Sequence, residues 1–388
     1  MNKKIILCID DEPIILNSLK QELSQYFADT MLIETAESGE EGLEIIEFFE
    51  EKEREVVLII SDYIMPQMRG DEFLIKAHNL LPQTIKILLT GQASLEGVTN
   101  AINETNLYRY ISKPWETQDL IMTVESAIEN YEKEKTLKEQ NEQIQASLRY
   151  AERIQNAVLP SEQVLSELLP NHFVFYSPKD VVSGDFYWCR EEENKVIVAV
   201  ADCTGHGVPG AFMSLIGHQI LNRAVIDKKI YSPEKILENI NIAIKDVWSG
   251  QRASIHEGME MAICVIDKKE NKISFAGARR PVCIIKDGKL HHIKGDRVGI
   301  DGKENSVFTK HDIDLQLNTS LYFYSDGYQD QFGGKDNRRF MSRNLRKLLQ
   351  EISNKPMQEQ LEQVKTVFND WKGMHHQIDD VIVLGIKI

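Results

Sequence analysis

Residues 126–160, "SAIENYEKEKTLKEQNEQIQASLRYAERIQNAVLP", contain no glycine, and no proline before Pro160. A run of that length without a chain breaker predicts one long helix, because glycine and proline are the residues that most reliably stop helices. Whatever precedes and follows such a helix must fold around a core of its own. Leu137, Asn141, Ile144, Leu148, Ala151, Gln155 and Val158 recur at alternating spacings of four and three, a heptad seam with Asn141 at a core-type position. Val124, Ile128 and Tyr131 follow another register, and the two phases meet in "EKEKT". A helix this polar needs a partner for its apolar stripe. The pattern therefore favours a parallel coiled-coil homodimer over a solvated single helix packed on its own domain.

The flanking segments read in two patterns, giving a multidomain chain. Over residues 1–125, "KIILCI", "MLIETA", "VVLIISD", "IKILLTG" and "LYRYISK" alternate with helix-period segments. That alternation predicts an α/β domain whose parallel sheet is covered on both faces. In "PIILNSLKQELSQYF", Ile15, Leu16, Leu19 and Leu23 share one face, as a covering helix requires. From about residue 170 to 388, strands such as "KVIVAVAD", "MEMAICVID", "KISFAGA" and "SLYFYSDG" predominate, with longer helices between them. Asp287–Gly288, between the apolar runs of "VCIIKDGKLHHIK", predicts a hairpin turn. The expectation there is an α+β domain with a largely antiparallel sheet. Residues 333–378 read as a helical insertion whose cluster Arg338, Arg339, Arg343, Arg346 and Lys347 is a solvated face in preference to a dock for an acidic substrate.

Charge and cysteine usage exclude several classes. With 60 acidic against 45 basic residues and a formal net charge of -15, the chain lacks the basic surplus of a phosphate-backbone binder, so no nucleic-acid partner is expected. The start "MNKKIILCIDDE" is too short in apolar residues for a signal peptide or a membrane span, which leads us to expect a cytoplasmic protein with no membrane partner. The five cysteines show no Cys-x-x-Cys pair, and the Cys203–His206 step lacks the further ligands that a zinc site needs.

Two groups of residues carry chemistry. Asp10 and Asp11 follow the first strand, Asp62 ends the third, Thr90 the fourth and Lys113 the fifth. In an open α/β sheet ligands sit off the carboxyl ends of the strands, so these side chains converge on one crevice. Three carboxylates there suit Mg²⁺, a hard cation that takes oxygen ligands. Asp62 is then placed as a nucleophile, with the metal and Lys113 neutralising charge on an incoming phosphoryl group. "CIDDEP", "ISDYIMPQMRG", "ILLTGQAS" and "YRYISKPW" resemble a response-regulator receiver domain over its whole length. The resemblance implies a flavodoxin-like five-stranded parallel sheet, Mg²⁺ held by Asp10, Asp11 and Asp62, and phosphorylation of Asp62 by a histidine kinase or phosphotransfer protein. It also implies phosphoryl-sensing roles for Thr90 and Lys113, Tyr110 as the aromatic switch, and a cis Lys113–Pro114 bond.

The second group centres on "VAVADCTGHGVPGAFMSL", where Asp202 follows an apolar strand. By itself this acid reads as a metal ligand, part of a nucleotide loop, or a turn residue. "VVSGDFYW" supplies Asp185, "LYFYSDGYQD" supplies Asp326, and "HQIDDVIVLGIKI" supplies Asp379 and Asp380, each at a strand–loop junction. Separated aspartates of this kind suit a site holding two cations that activate water and neutralise a phosphoester. Gly184, Gly205, Gly207 and Gly327 let backbone turn tightly beside them. The Asp-x-Gly-x-Gly box of kinase ATPase domains is a poorer match, because Gly205 and Gly207 stand one residue too far from Asp202. "GDFYW", "ADCTGHGVPGAFMS", "SDGYQDQFGG" and "DDVIV" resemble, in order, the metal-dependent type 2C protein phosphatases of the SpoIIE-like and RsbU-like branch, from about residue 172 to the end. The resemblance implies an αββα fold and two Mn²⁺ or Mg²⁺ ions on Asp185, Asp202, Asp326, Asp379 and the backbone carbonyl of Cys203, a position usually glycine or small in relatives. Asp380 is a weaker candidate than Asp379. His206 stays open between positioning the loop and protonating a leaving alkoxide. The implied substrate is a phosphoserine or phosphothreonine protein, with a STAS-domain anti-sigma-factor antagonist in a partner-switching pathway as the leading physiological reading.

Residues 1–125, 126–160 and 170–388 thus read as receiver, coiled-coil linker and phosphatase. Phosphorylation of Asp62 is expected to act through the helix on the segment around Cys203, because two heptad phases joined in one helix can be bistable. The alternative is a non-enzymatic, receiver-controlled adaptor that binds a sigma factor or regulator. The presence of all four metal aspartates favours the enzyme.

Overall fold

The apolar runs of the N-terminal segment form β1 (Lys4–Ile9), β2 (Met31–Ala36), β3 (Val56–Asp62), β4 (Ile85–Thr90) and β5 (Arg109–Ser112), with helices α1 (Pro13–Phe27), α2 (Gly39–Glu51) and α3 (Gly70–Leu80) between them and α4 (Thr117–Val158) after them. This computed structural model describes residues 3–91, 107–248, 257–304, 306–314 and 318–388, so Gln92–Ser94 of "ILLTGQAS" lie outside the described residues. The chain divides into two units, Met1–Ile144 and Gln145–Ile388.

In the first unit the strands pair in the order β2-β1-β3-β4-β5, all parallel. Side-chain alternation along β1 explains why the sheet is covered twice. Ile6 and Cys8 pack with Leu16, Leu19 and Leu23 of α1 and with Leu120, Val124, Ala127 and Tyr131 of α4. Ile5, Leu7 and Ile9 pack on the other face with Ile46 and Phe49 of α2 and Phe73, Leu74 and Ala77 of α3. The long helix therefore starts at Thr117, ahead of the stretch 126–160 that marks it in the sequence, and its first turns belong to this core. Tyr131 and Lys135 both reach Glu55, at 2.7 and 2.5 Å. Beyond them Leu137 and Ile144 are exposed, whereas Gln155 is buried.

The second unit contains α5 (Glu162–Leu168), β6 (His172–Ser177), β7 (Phe186–Glu192), β8 (Lys195–Cys203), α6 (Gly207–Asn222), α7 (Pro233–Trp248), β9 (Met259–Asp267), β10 (Lys272–Ala278), β11 (Val282–Lys286) and β12 (Lys289–Ile293). β13 (His311–Asp314), β14 (Ser320–Tyr324), α8 (Gly327–Asp330), β15 (Phe332–Gly333), β16 (Arg338–Arg339), α9 (Ser342–Ile352), α10 (Met357–Lys372) and β17 (Val381–Lys387) follow. Two antiparallel sheets, β13-β10-β9-β8-β7 and β12-β11-β14-β17-β6, stack between two layers of helices. β11 and β12 form the hairpin expected at Asp287–Gly288.

Central strands carry a different core on each face. Ile197, Ala199 and Ala201 of β8 meet α6 and α7, while Val196, Val198 and Val200 face the other sheet. Along β17, Ile382, Leu384 and Ile386 face the first sheet, and Val381 and Val383 meet α9 and α10. The segment read as a helical insertion is thus the outer layer of the second sheet. Leu345, Leu349 and Ile352 are buried at i, i+4 and i+7 beside Val364 and Phe368. Only the opposite, charged face of α9 is solvated.

One buried cation in the first unit makes a testable cost. Lys86 on β4 is 1% exposed, with Nζ donating to the Leu81 carbonyl at 3.0 Å and 2.8 Å from His78 Nδ1. Burial lowers its pKa from 10.5 to about 8. Because the folded value lies below the unfolded one, the cost is fully present below about pH 8 and is relieved as pH rises toward 10.5. Lys86→Met should stabilise the protein at pH 7 by about 2 kcal/mol in urea unfolding, and this gain should shrink at pH 10. An equal gain at both pH values would show that the ammonium is not what costs stability.

Candidate functional site

Antiparallel pairing gathers the separated aspartates. Phe186 at the start of β7 pairs with Ala201 near the end of β8, which brings Asp185 beside Asp202. Tyr324 at the end of β14 pairs with Val383 near the start of β17, which does the same for Asp326 and the Asp379–Asp380 pair. Asp202 lies directly across from Glu260 on β9. Like charges in that relation repel, and a cation stands between them. Arg280, after β10, directs Nη2 to Asp202, to Glu260 Oε2 at 2.9 Å and to Asp326 Oδ2 at 2.8 Å.

The electrostatics show how strongly this cluster demands positive charge. Burial, helped by the neighbouring Asp202, pushes the Asp185 carboxyl well above the usual carboxylate range. Asp185 Oδ2 is buried with no hydrogen-bond partner among the described residues. Burial also pushes Asp202 up to about 7, against the pull of Arg280 and with the charges of Asp326, Asp379 and Glu260 adding to it. Asp379 is raised by burial and by Asp326 and Asp380, and its Oδ1 accepts from the Asp380 N–H at 2.9 Å. An orphaned carboxylate oxygen among hard oxygen donors fits a divalent cation. At present the guanidinium of Arg280 meets part of the demand.

Close backbone contacts hold the loops. At Gly184 a Cβ would lie 2.4 Å from the Gly205 carbonyl oxygen and 3.4 Å from that of Cys203, so the Cys203 carbonyl sits beside the loop that carries Asp185. At Gly327 a Cβ would meet the Asp380 carbonyl oxygen at 2.0 Å. Asp380 is 2% exposed, and both of its oxygens accept backbone N–H groups, from Lys179 and from Gly184, each at 2.7 Å. It ties the Asp185 loop to the last strand, which leaves Asp379 as the acid with an oxygen to spare. His206 Nδ1 lies 2.8 Å from Asp180 and Nε2 2.9 Å from Lys179.

Sequence reasoning missed two residues. Arg280 had no signal beyond two arginines after a strand. Gln155 had been placed in the heptad seam, yet its side chain is a clamp. Nε2 donates to the Ser183 carbonyl at 2.6 Å and to Ser214 Oγ at 2.9 Å, while Oε1 accepts from the Ser183 N–H at 3.0 Å. Ser183 Oγ in turn accepts from the Asp185 N–H at 3.0 Å. The C-terminal part of α4 is thus bonded to the loop bearing Asp185 and to α6.

In the first unit, oxygens of Asp10, Asp11 and Asp62 lie within 4.8 Å of one another, the one such group among the described residues. Lys113 Nζ reaches Asp10 Oδ2 at 2.6 Å and Asp62 Oδ1 at 2.7 Å. Burial opposes the charge on Lys113, but its bonds to the two acids outweigh it and raise the pKa. Burial raises Asp10 despite Lys113. Thr90 Oγ1 is buried without a partner among the described residues, Tyr110 is 53% exposed, and Lys113–Pro114 is cis.

Residues 192–388 match the family model described as Stage II sporulation protein E (SpoIIE), and residues 6–125 match that of the response regulator receiver domain. The chain is 23% identical over 265 residues to the phosphoserine phosphatase RsbU of Bacillus subtilis (strain 168), covering 66% of this chain and 75% of that one. It is 30% identical over 131 residues to the hydrogenase transcriptional regulatory protein HoxA of Bradyrhizobium diazoefficiens, covering 34% of this chain and 25% of the relative. It thus spans about a quarter of the length of that regulator. The SiaA-PP2C domain of Pseudomonas aeruginosa superposes with a TM-score of 0.59 at 30% identity, over 64% of this chain and 98% of that domain. No helix among the described residues is long and apolar enough to cross a membrane. With a receiver domain at one end and the sporulation-protein match over half its length, the chain belongs to the SpoIIE family of PP2C-type phosphatase domains.

Proposed function

We propose that this chain is a phosphoserine/phosphothreonine protein phosphatase that depends on divalent metal and is controlled by phosphorylation of Asp62. The observation that carries the reading is the orphaned, buried Asp185 Oδ2 among acids whose charge demands cations. Asp185, Asp202, Asp326, Asp379 and the Cys203 carbonyl are the residues that would hold two Mn²⁺ or Mg²⁺ ions. Bound there, the ions supply an activated water and neutralise the phosphoester. The chain's own contribution is placement: Asp380 and Gln155 fix the Asp185 loop, and His206, held by Asp180 and Lys179, fixes the turn into α6. In the receiver, Asp10, Asp11 and Asp62 are the residues that would hold Mg²⁺, and Lys113 and Thr90 those that would bind the phosphoryl group delivered by a histidine kinase or phosphotransfer protein, with Tyr110 as the switch.

The relay runs through α4, whose first turns pack in the receiver core and whose Gln155 clamps the phosphatase loop. We assign residues 1–125 to the receiver, 126–160 to a dimerising linker and 170–388 to the phosphatase, acting in the cytoplasm on a STAS-domain anti-sigma-factor antagonist. A second reading is favoured by Arg280. A guanidinium already bonded to Asp202 and Asp326 is compatible with a metal-free adaptor.

The purified chain should hydrolyse p-nitrophenyl phosphate and a phosphoserine protein only with Mn²⁺ or Mg²⁺ added, and Asp326→Asn should lower the rate at least about 100-fold. Silence with every metal would favour the adaptor. The folded pKa of Asp202, about 7, lies above its unfolded one, so its contribution to stability is present at low pH and is lost as pH rises through about 7, and burial shifts Asp185 in the same direction. Metal reverses that loss by binding the charged forms. Thermal scans should therefore show a larger Mn²⁺-induced rise in Tm at pH 8 than at pH 5.5, and equal rises would count against these ligands. Finally, a phosphoryl donor for Asp62 should change the phosphatase rate in the wild type, while Gln155→Leu should flatten that response at a stability cost of about 1–3 kcal/mol. Identical rates and dimerisation for Asp62→Asn and Asp62→Glu would remove the relay.

A further inference from the structure

A cleft of about 510 Å³ opens beside the acid cluster, with Asp326 and Glu260 among its walls. Its acids are already engaged. Glu260 pairs with Arg279 and Arg280, Asp326 pairs with Arg280, and Asp296 accepts both the N–H and the hydroxyl of Thr309, at 2.7 and 3.0 Å. Three further cations line the same space: Lys294 and Arg297 from the segment after β12, and Arg346 from α9. None of the three makes an ion pair or side-chain hydrogen bond with a described residue. In a chain of net charge -15, this concentration of unanswered positive charge is local and specific. His292, on the same wall, has its pKa lowered by burial and then by Arg346 and Lys294, so these cations are close enough to act on one another's surroundings. An anion in the cleft relieves that repulsion.

The fold also separates Arg346 from the arginines beside it in sequence. Arg338 pairs with Asp336, Arg339 with Asp330 and Lys347 with Glu351, all towards solvent, while Arg346 points into the cleft. We propose that this cleft receives acidic side chains flanking the phosphorylated residue of the protein substrate, so that Lys294, Arg297 and Arg346 set substrate choice, an inference that rests on the phosphatase reading above. A segment entering past Asp326 places its phosphoester at the aspartates and its neighbouring carboxylates against the three cations. Charges arranged in this way act mainly on encounter and selectivity, and salt weakens them.

The test uses the full chain with Mn²⁺, p-nitrophenyl phosphate, and two phosphoserine peptides that differ only in having Asp and Glu or Ala beside the phosphoserine. Wild-type kcat/KM should favour the acidic peptide about tenfold at low salt, the sum expected of three partly exposed charge pairs, and the preference should collapse in high salt. The double variant Lys294→Gln/Arg346→Gln should lose the preference and keep its rate on p-nitrophenyl phosphate within about twofold. Equal wild-type rates on the two peptides, or a preference that survives in the variant, would overturn the cleft assignment. So would a matching loss on the small ester, which would place these cations on the phosphoryl group itself. If the wild type hydrolyses none of the three compounds, it is the phosphatase reading that fails. The wild-type comparison and its salt dependence need no variant, so misfolding of the double variant leaves the outcome decidable.

Discussion

Repulsion between buried carboxylates organises both ends of this chain. At each site a folded sheet delivers acids to one spot where desolvation makes their charge expensive, and each site answers with a cation from its own sequence. In the receiver the answer is Lys113, bonded to Asp10 and Asp62. In the phosphatase it is Arg280, bonded to Asp202, Glu260 and Asp326. The two answers differ in geometry. Lys113 leaves Asp11 exposed and the three-acid group intact as an oxygen-lined site. Arg280 occupies the middle of its cluster, and its own Nε is buried without a partner among the described residues. A compact ammonium can share its acids with a metal, whereas a planar guanidinium bonded to three carboxylates competes for the same oxygens.

How much was legible in the sequence depended on whether the signal was local. Strand-end acids could be read because an apolar run followed by aspartate states both position and chemistry, as at Asp62, Asp202 and Asp326. Asp380 was ranked below Asp379 as a ligand, but what it does instead, accepting the N–H groups of Lys179 and Gly184, was not legible because those residues lie far away in the chain. Arg280 was silent for the same reason: its meaning comes from the β8–β9 register that sets Asp202 across from Glu260. Gln155 fell on a four-three spacing, and that spacing cannot distinguish a seam shared with another helix from a face packed on the helix's own domain. Residues 333–378 were read as an insertion because nothing local reveals that the second sheet has an outer face, which helices Ser342–Ile352 and Met357–Lys372 cover.

The long helix is held by different interactions at its two ends. Leu120, Val124, Ala127 and Tyr131 fix its first turns by hydrophobic burial, a broad and non-directional interaction. Gln155 fixes its far end by hydrogen bonds to two groups of Ser183 and one of Ser214, an interaction that tolerates little displacement. Gln155 is therefore the point at which the far end of the helix bonds directly to the loop that carries Asp185.

The alternation along β8 has a consequence for the site it carries. Val196, Val198 and Val200 serve one core while Ile197, Ala199 and Ala201 serve another, so a slip of one residue would exchange both sets at once. The position of Asp202 is therefore dictated by the packing of six apolar neighbours. A cation held by Asp202 would meet a strand that packing has already ordered.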